Sequence, residues 1–409
     1  MSEVAQAPQL RFSEFSDEWE AGYLNEFIDS LDAGVSVNST DRQAESNEKC
    51  ILKTSCVSSG VFKLKENKVV LDDDEIQRLK EPLQSNTIII SRMNTPALVG
   101  ANAIVTYSMS NVFLPDRLWA AKINKNYSGK WLGILMSSTK FRAALSARAT
   151  GTSASMKNIT KGDVLSLKIT YPAKPEQQKI AAFLTAVDNK IEQLSKKQEL
   201  LGEYKKGLMQ QIFSQAIRFK ADDGSEFPDW EEKNGNEIFD NISNKNHDSD
   251  LPILAITQEH GAIPRDLINY KMIVSDKSVS SYKVVETGDF IISLRSFQGG
   301  IEYSNYKGIC SPAYIILRPA IEIEKKFYKY YLKTYRYIQD LNRKLEGIRD
   351  GKMVSYKYFS EIKLPYPSIS EQAKIANFLS SIDNKIEQVG KQLDESKQFK
   401  KALLQQMFV

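Results

Sequence analysis

YPAKPEQQKIAAFLTAVDNKIEQLSKKQELLGEYKKGLMQQIF, residues Tyr171 to Phe213, returns at Tyr366 to Phe408 as YPSISEQAKIANFLSSIDNKIEQVGKQLDESKQFKKALLQQMF. The offset is constant and ungapped, and roughly half the positions are identical. A repeat of fixed period decides the architecture before any local motif does. Each copy follows a longer, unlike stretch, so the chain reads variable–helix–variable–helix.

In the first copy Ile180, Leu184, Val187, Ile191, Leu194, Gln198, Leu201, Lys205, Leu208 and Ile212 fall at alternating spacings of four and three. The second copy puts Ile375, Leu379, Ile382, Ile386, Val389, Leu393, Ser396, Lys400, Leu403 and Met407 on the same grid. That spacing is a coiled-coil seam. It is broken by polar residues at Gln198, Lys205, Ser396 and Lys400, where Tyr204 and Phe399 are expected to fill in from the neighbouring position. Pro175 suits a first turn, and Ser370 just before Glu371 reads as an N-cap. About 38 residues at 1.5 Å each make a rod of roughly 57 Å.

A helix with one apolar stripe must cover it. The simplest cover is the other copy, run back antiparallel across the intervening domain. This predicts an α+β protein with two long antiparallel coiled-coil helices in a pseudo-two-fold arrangement and a globular domain at each end. The boundaries are residues 1–170, 171–215 (first helix), 216–365 and 366–409 (second helix). The polar faces repeat too: Lys179 and Lys374, Asp188-Asn189-Lys190 and Asp383-Asn384-Lys385. A seam does not require them. Duplication would account for them, and so would docking the same partner once per half.

The variable halves share a skeleton. Each opens on Arg-Phe then Trp-Glu, at Arg11-Phe12 with Trp19-Glu20 and at Arg218-Phe219 with Trp230-Glu231. A β-like run follows at Cys50–Leu52 and at Pro252–Leu254, then a strand leading to a basic tip, Thr87 to Arg92 and Asp289 to Arg295. Helical patterns come next, over Lys130–Ser146 and Lys325–Leu345, and then a Gly loop with basic flanks. These features predict mixed, mainly antiparallel sheets. The chemistry-bearing residues at the tips are Arg92, Asn94 and Thr95 in one half and Arg295, Ser296 and Gln298 in the other. Arg pairs bidentately with a guanine edge, and Asn or Gln with an adenine edge. The Gly loops carry Arg148, Thr150, Thr152, Ser153 and Lys157, then Arg349 and Lys352, residues suited to phosphate oxygens. Ordinary turn chemistry uses the same residue types.

The net charge is only +4, but it is uneven. Phe12 to Glu48 holds ten acids and one base, whereas Ser85 to Gly162 holds ten bases and one acid, Asp116. Lys325 to Lys363 repeats the basic excess. Two basic stretches in matching places point to a polyanion partner. Cys50, Cys56 and Cys310 lack CxxC spacing, and His247 and His260 are the two histidines, so neither a zinc site nor a His-based catalytic set is expected. There is no GxxxxGK[ST] loop and no GxGxxG. Asp72-Asp73-Asp74-Glu75 reads as a helix start rather than a metal site. No run approaches the ~18 apolar residues of a membrane span, and no signal peptide is read, so the expected location is the cytoplasm.

The duplicated EQxKIAxFLxxxDNKIEQ and KKxLxQQxF segments, each entered through ITYP or LPYP, and the GDFIIS strand of the second half resemble the specificity subunit of type I restriction–modification systems. The likeness covers essentially the whole chain. The first half has SNTIIISRMN where the second has GDFIISLRSF. The resemblance implies two target-recognition domains, each reading half of a bipartite sequence in double-stranded DNA. It implies helices that act as a ruler for the spacer and dock two methyltransferase subunits, and restriction/translocase subunits that join them. S-adenosylmethionine, ATP and Mg2+ would then sit on those partners, with no cofactor, metal or catalytic residue on this chain. A two-headed coiled-coil DNA-binding adaptor without modification partners is the alternative.

Overall fold

A computed structural model describes residues 7–151, 155–248, 250–268, 279–343 and 354–408. The chain divides into two compact units, Met1–Gln193 with Gln392–Val409, and Leu194–Lys391. Each unit contains one globular region and a stretch of each long helix. The long helices run Lys174–Phe213 and Ile369–Gln406.

The units are built alike. In the first, a four-stranded antiparallel sheet has the order Ile28–Ala33, Leu118–Ile123, Thr87–Ser91, Asn102–Val105. In the second, the order is Phe239–Ile242, Ile315–Pro319, Phe290–Ile292, Glu302–Tyr303. Period-2 alternation lets the central strand serve two cores. Ile88 and Ile90 join the core that contains Trp131 and the long-helix residues Ile180, Leu184, Leu403 and Met407, while Ile89 joins Cys50, Val112 and Leu114 on the other face. Phe290 and Ile292 likewise pack with Ile212, Ile375 and Leu379, and Ile291 with Leu254 and Cys310. Burial on both faces explains why TIII and FII read as unbroken apolar runs.

A two-stranded ribbon carries each globular region into its helix. Glu20–Tyr23 pairs with Lys168–Tyr171, and Glu231–Asn234 with Lys363–Tyr366. The loop after each central strand returns through a glycine at positive φ, Gly100 (74°) and Gly300 (80°), where a side chain would be strained. Each expected single helix is in fact two, Gly129–Ser137 with Thr139–Ala147 and Lys325–Tyr331 with Tyr335–Arg343. Ser138 is extended (ψ 151°) and its hydroxyl accepts the Phe141 N–H, so it ends one helix and caps the next. In the second unit Leu332 ends the helix Lys325–Tyr331, and Thr334 caps the next by accepting the Tyr337 N–H. The cap of the second long helix is Ser368 rather than Ser370, since Ser368 Oγ accepts the Glu371 N–H at 3.3 Å. Asp72 caps the helix Asp73–Arg78, as the acidic run suggested.

The Arg-Phe and Glu-Gln repeats are explained together. Glu176 and Glu371 are 1% and 0% exposed. A carboxylate so far from water requires a matched cation. Arg11 grips Glu176 through Nε and Nη2, both at 2.8 Å, and Trp19 Nε1 adds a donor at 3.4 Å. Arg218 grips Glu371 through Nη2 at 2.9 Å. The following phenylalanines seat edge-on against the helices, Phe12 on Phe183 at 5.7 Å and Phe219 on Phe378 at 5.3 Å. Gln177 donates to the Pro172 carbonyl and accepts the Ser128 N–H, and Gln372 repeats this with Pro367 and Glu324. The three cysteines are free and buried, and burial pushes the Cys50 thiol up to about 11 and those of Cys56 and Cys310 up to about 12.

Removing one partner of such a pair strands a buried charge. Arg11→Met is expected to lose about 3 kcal/mol in urea unfolding, and Arg11→Met with Glu176→Leu to recover most of it. Equal losses in the single and double variants would contradict this account.

Candidate nucleic-acid interface

In the first unit the strand tip and the Gly loop form one platform. Beyond Thr87–Ser91, Met93–Asn94 pairs with Lys157–Asn158, with Asn94 opposite Lys157, and Thr150 bridges to Asn158. The Arg92 carbonyl takes the Ile159 N–H at 3.0 Å, and the Arg92 N–H reaches the Arg117 carbonyl at 3.1 Å. The structure therefore brings Arg92, Asn94, Thr95, Thr150 and Lys157 together. Arg92 lies 5.9 Å from the Trp119 ring and 3.9 Å from Asp116, and its Nε is buried with no hydrogen-bond partner among the described residues. The Asn94 amide is turned to its own loop, bonding Ser91 Oγ and the Thr95 N–H. Thr95 and Thr150 are exposed. Lys157 Nζ reaches the Gly151 carbonyl at 3.3 Å. Arg148 is tied back to its own domain, donating to the Asp163 carbonyl at 2.9 Å and Ser166 Oγ at 2.8 Å. Thr152, Ser153, Arg349 and Lys352 lie outside the described residues.

In the second unit Arg295 and Gln298 are exposed, whereas Ser296 is 1% exposed and its hydroxyl accepts the Ser293 N–H. Ser296 shapes the tip rather than projecting from it. Arg295 lines a cleft of about 660 Å³ with Gln258 and Arg265, two residues that the sequence reading did not single out. Arg117 and Arg142 were visible only as members of a basic stretch. Arg117 is exposed. Arg142 donates to the Ala97 carbonyl at 3.2 Å in the first tip loop, and burial lowers its pKa.

On the helices, the repeated polar residues divide into two groups. Asp188 is held by Lys400, and Asp383 by Lys205 and by the Tyr330 hydroxyl at 2.7 Å. Lys179 meets Glu14 at 3.1 Å and the Phe12 ring at 5.5 Å. Lys374 meets Asp222 at 2.8 Å and the Lys220 carbonyl at 2.6 Å. Asn189, Lys190, Asn384 and Lys385 are exposed. The lysines at the polar breaks in the seam are thus ion-paired across helices, and the helices within each unit run antiparallel. Tyr204 and Phe399 do not fill those breaks, for they are 56% and 54% exposed. Among the described residues, no cluster of His, Cys, Asp and Glu could hold a metal ion, and no helix is long and apolar enough to cross a membrane.

Comparison with known proteins agrees with this arrangement. The family profile described as type I restriction modification DNA specificity domain matches residues 16–201 and 228–396. The chain belongs to that family, as a specificity subunit. The putative type I restriction enzyme MjaX specificity subunit of Methanocaldococcus jannaschii is 28% identical over 265 residues, 60% of each chain. The type I restriction enzyme MjaVIII specificity subunit of the same organism is 24% identical over 416 residues, covering 95% of this chain and 91% of that one. The crystal structure of a type I restriction–modification S subunit from M. genitalium aligns with TM-score 0.59 at 18% identity, covering 99% of each chain. A structure reported for complex assembly and conformational transition of the type I R-M system aligns with TM-score 0.52 at 19% identity, covering 95% and 97%. At these identities the solved structures speak for the fold alone.

The cross-helix pairs are open to a charge exchange. Lys205→Asp should cost about 1 kcal/mol in urea unfolding, and Lys205→Asp with Asp383→Lys should restore it. A double variant no better than the single one would show that the pair is not coupled.

Proposed function

We propose that this chain reads a bipartite sequence in double-stranded DNA, one globular region per half-site, and presents its helices to two methyltransferase subunits. The observation that carries this reading is duplication with divergence. The sheet order, the Glu–Arg grip and the Lys–Asp pairs occur twice, while the strand-tip loops differ. Two frames of one design with unlike tips suit two half-sites of unlike sequence. Half-sites one turn of DNA apart, about 34 Å, present their major grooves on one side of the duplex. The modest net charge fits a clamp completed by other subunits.

In this reading the chain does no chemistry. Adenine methylation with S-adenosylmethionine, and cleavage driven by ATP with Mg2+, belong to the methyltransferase and restriction/translocase partners. Asn189, Lys190, Asn384 and Lys385, which are exposed and form no ion pair among the described residues, are the repeated polar residues assigned to docking. Asp188, Asp383, Lys179 and Lys374 act in the frame and would affect docking only through it.

Purification from the native host is expected to bring down two methyltransferase subunits per chain. A chain that binds specific DNA and recovers no methyltransferase would be the two-headed adaptor instead. A second test lengthens the helix: one added turn near Ser195 is expected to widen the spacer in the methylation motif and leave both half-sites as they were. Altered half-sites with an unchanged spacer would rule out the ruler.

A further inference from the structure

The cleft beside Arg295 lies between two parts of the second unit, a paired hairpin and a loop that follows a strand. One wall is a hairpin, Leu254–Thr257 against Gly261–Pro264, in register from Leu254 with Pro264 to Thr257 with Gly261. Its turn is closed by Thr257 Oγ1, which takes the His260 N–H at 3.0 Å. Gly261 sits at φ 70°, where an added Cβ would meet the Tyr303 carbonyl oxygen at 2.7 Å. Immediately after the hairpin the Arg265 N–H binds the Ile253 carbonyl at 3.0 Å. Arg265 therefore leaves the end of a paired strand with its backbone fixed. The opposite wall is the loop after Phe290–Ile292, which carries Leu294 and Arg295. Gln258 Nε2 donates to the Arg295 carbonyl at 3.4 Å, so the hairpin also steadies that loop.

The lining of the cleft suits a base edge. Arg265 and Arg295 both line it, neither guanidinium forms an ion pair with another described residue, and Arg265 Nε is buried with no hydrogen-bond partner among them. Leu254, Ile256 and Leu294 supply apolar wall to the same cleft, and Glu259 a carboxylate. Fork donors beside apolar surface match a major-groove edge with its O6 and N7 acceptors and neighbouring methyl groups. A phosphate contact needs only exposed donors. The two units share this strand pairing, but the residues that follow it differ, with Arg265 after the hairpin and Val70 after the matching strand of the first unit. In the first unit the corresponding strand, Cys50–Leu52, likewise pairs antiparallel with the next strand, Asn67–Val69, and lies parallel to Met109–Phe113 as Ile253 does to Ile309.

We infer that Arg265 is a sequence-reading residue of the second unit, donating to a guanine edge in the cleft that it shares with Arg295. This rests on the DNA-reading function proposed above. A reader placed at the end of a paired strand is held more closely than one on a loop. Arg265 thus fixes one base position, and Arg295 acts beside it.

The test uses the full methyltransferase complex carrying Arg265→Ala or Arg265→Lys. It compares host methylomes, and binding to duplexes altered one base pair at a time. Arg265→Ala is expected to weaken binding to the cognate duplex by roughly 10- to 100-fold. It should abolish the preference at one position of one half-site and leave the other half-site and the spacer intact. Arg265→Lys, which keeps the charge without the fork, should lose the same preference while keeping the salt dependence of the wild type. An unchanged motif and affinity in both variants overturns the inference, as does uniform weakening across sequences with a shallower salt slope, which marks a phosphate contact. Continued methylation through the other half-site shows that a variant has folded. A wild-type complex with no sequence preference would defeat the functional reading itself. Specific wild-type binding that Arg265→Ala leaves unaltered defeats only this inference.

Discussion

A carboxylate buried in the first turn of each long helix constrains everything around it. Glu176 and Glu371 have lost their water, and each needs a guanidinium in bidentate reach. That need draws Arg11 and Arg218 across the helix, with the segments that carry them. The adjoining Gln177 and Gln372 bind the carbonyl of the proline just after each Tyr-ending strand and the N–H of the residue that caps each domain helix. Strand, domain helix and long helix therefore meet at one polar node in each unit. An apolar seam by itself tolerates sliding. A charge-assisted node tolerates very little, because a small displacement leaves a charge unpaired.

The seam was legible in the sequence because its period is local, and each apolar residue announces the next. The α+β class, the strands that lead to the tips and the helix start at Asp72 were legible because their signals are local too. The polar repeats were visible, but their meaning was not. Arg11 and Glu176 are 165 residues apart, and Lys205 and Asp383 are 178 apart. Periodicity carries no information over such distances. Asp188 and Asp383 thus looked like surface residues awaiting a partner, although the opposing helix supplies one. The helix breaks at Ser138 and Thr334 were hidden by the hydrophobic pattern that continues across them.

At the candidate interface, strand ends followed by Arg marked the tips at Arg92 and Arg295. Sequence could not tell which side chains face out. Ser296 faces inward because its hydroxyl closes its own turn, and Arg148 folds back onto Asp163 and Ser166. Arg265 escaped notice because the hairpin that holds it is only four residues to a strand, and the proline before it reads as a loop. Its position is set by pairing, which residue type does not reveal.

The Lys–Asp contacts have one more consequence. The first helix offers Asp188 and Lys205, and the second offers Lys400 and Asp383, the same two repeat positions with roles exchanged. One helix of this sequence is therefore self-complementary, holding both the lock and the key of the antiparallel pair. The Lys–Asp pairing by itself does not require the two helices to lie on one polypeptide. A gene for half of this chain would already encode both sides of the joint.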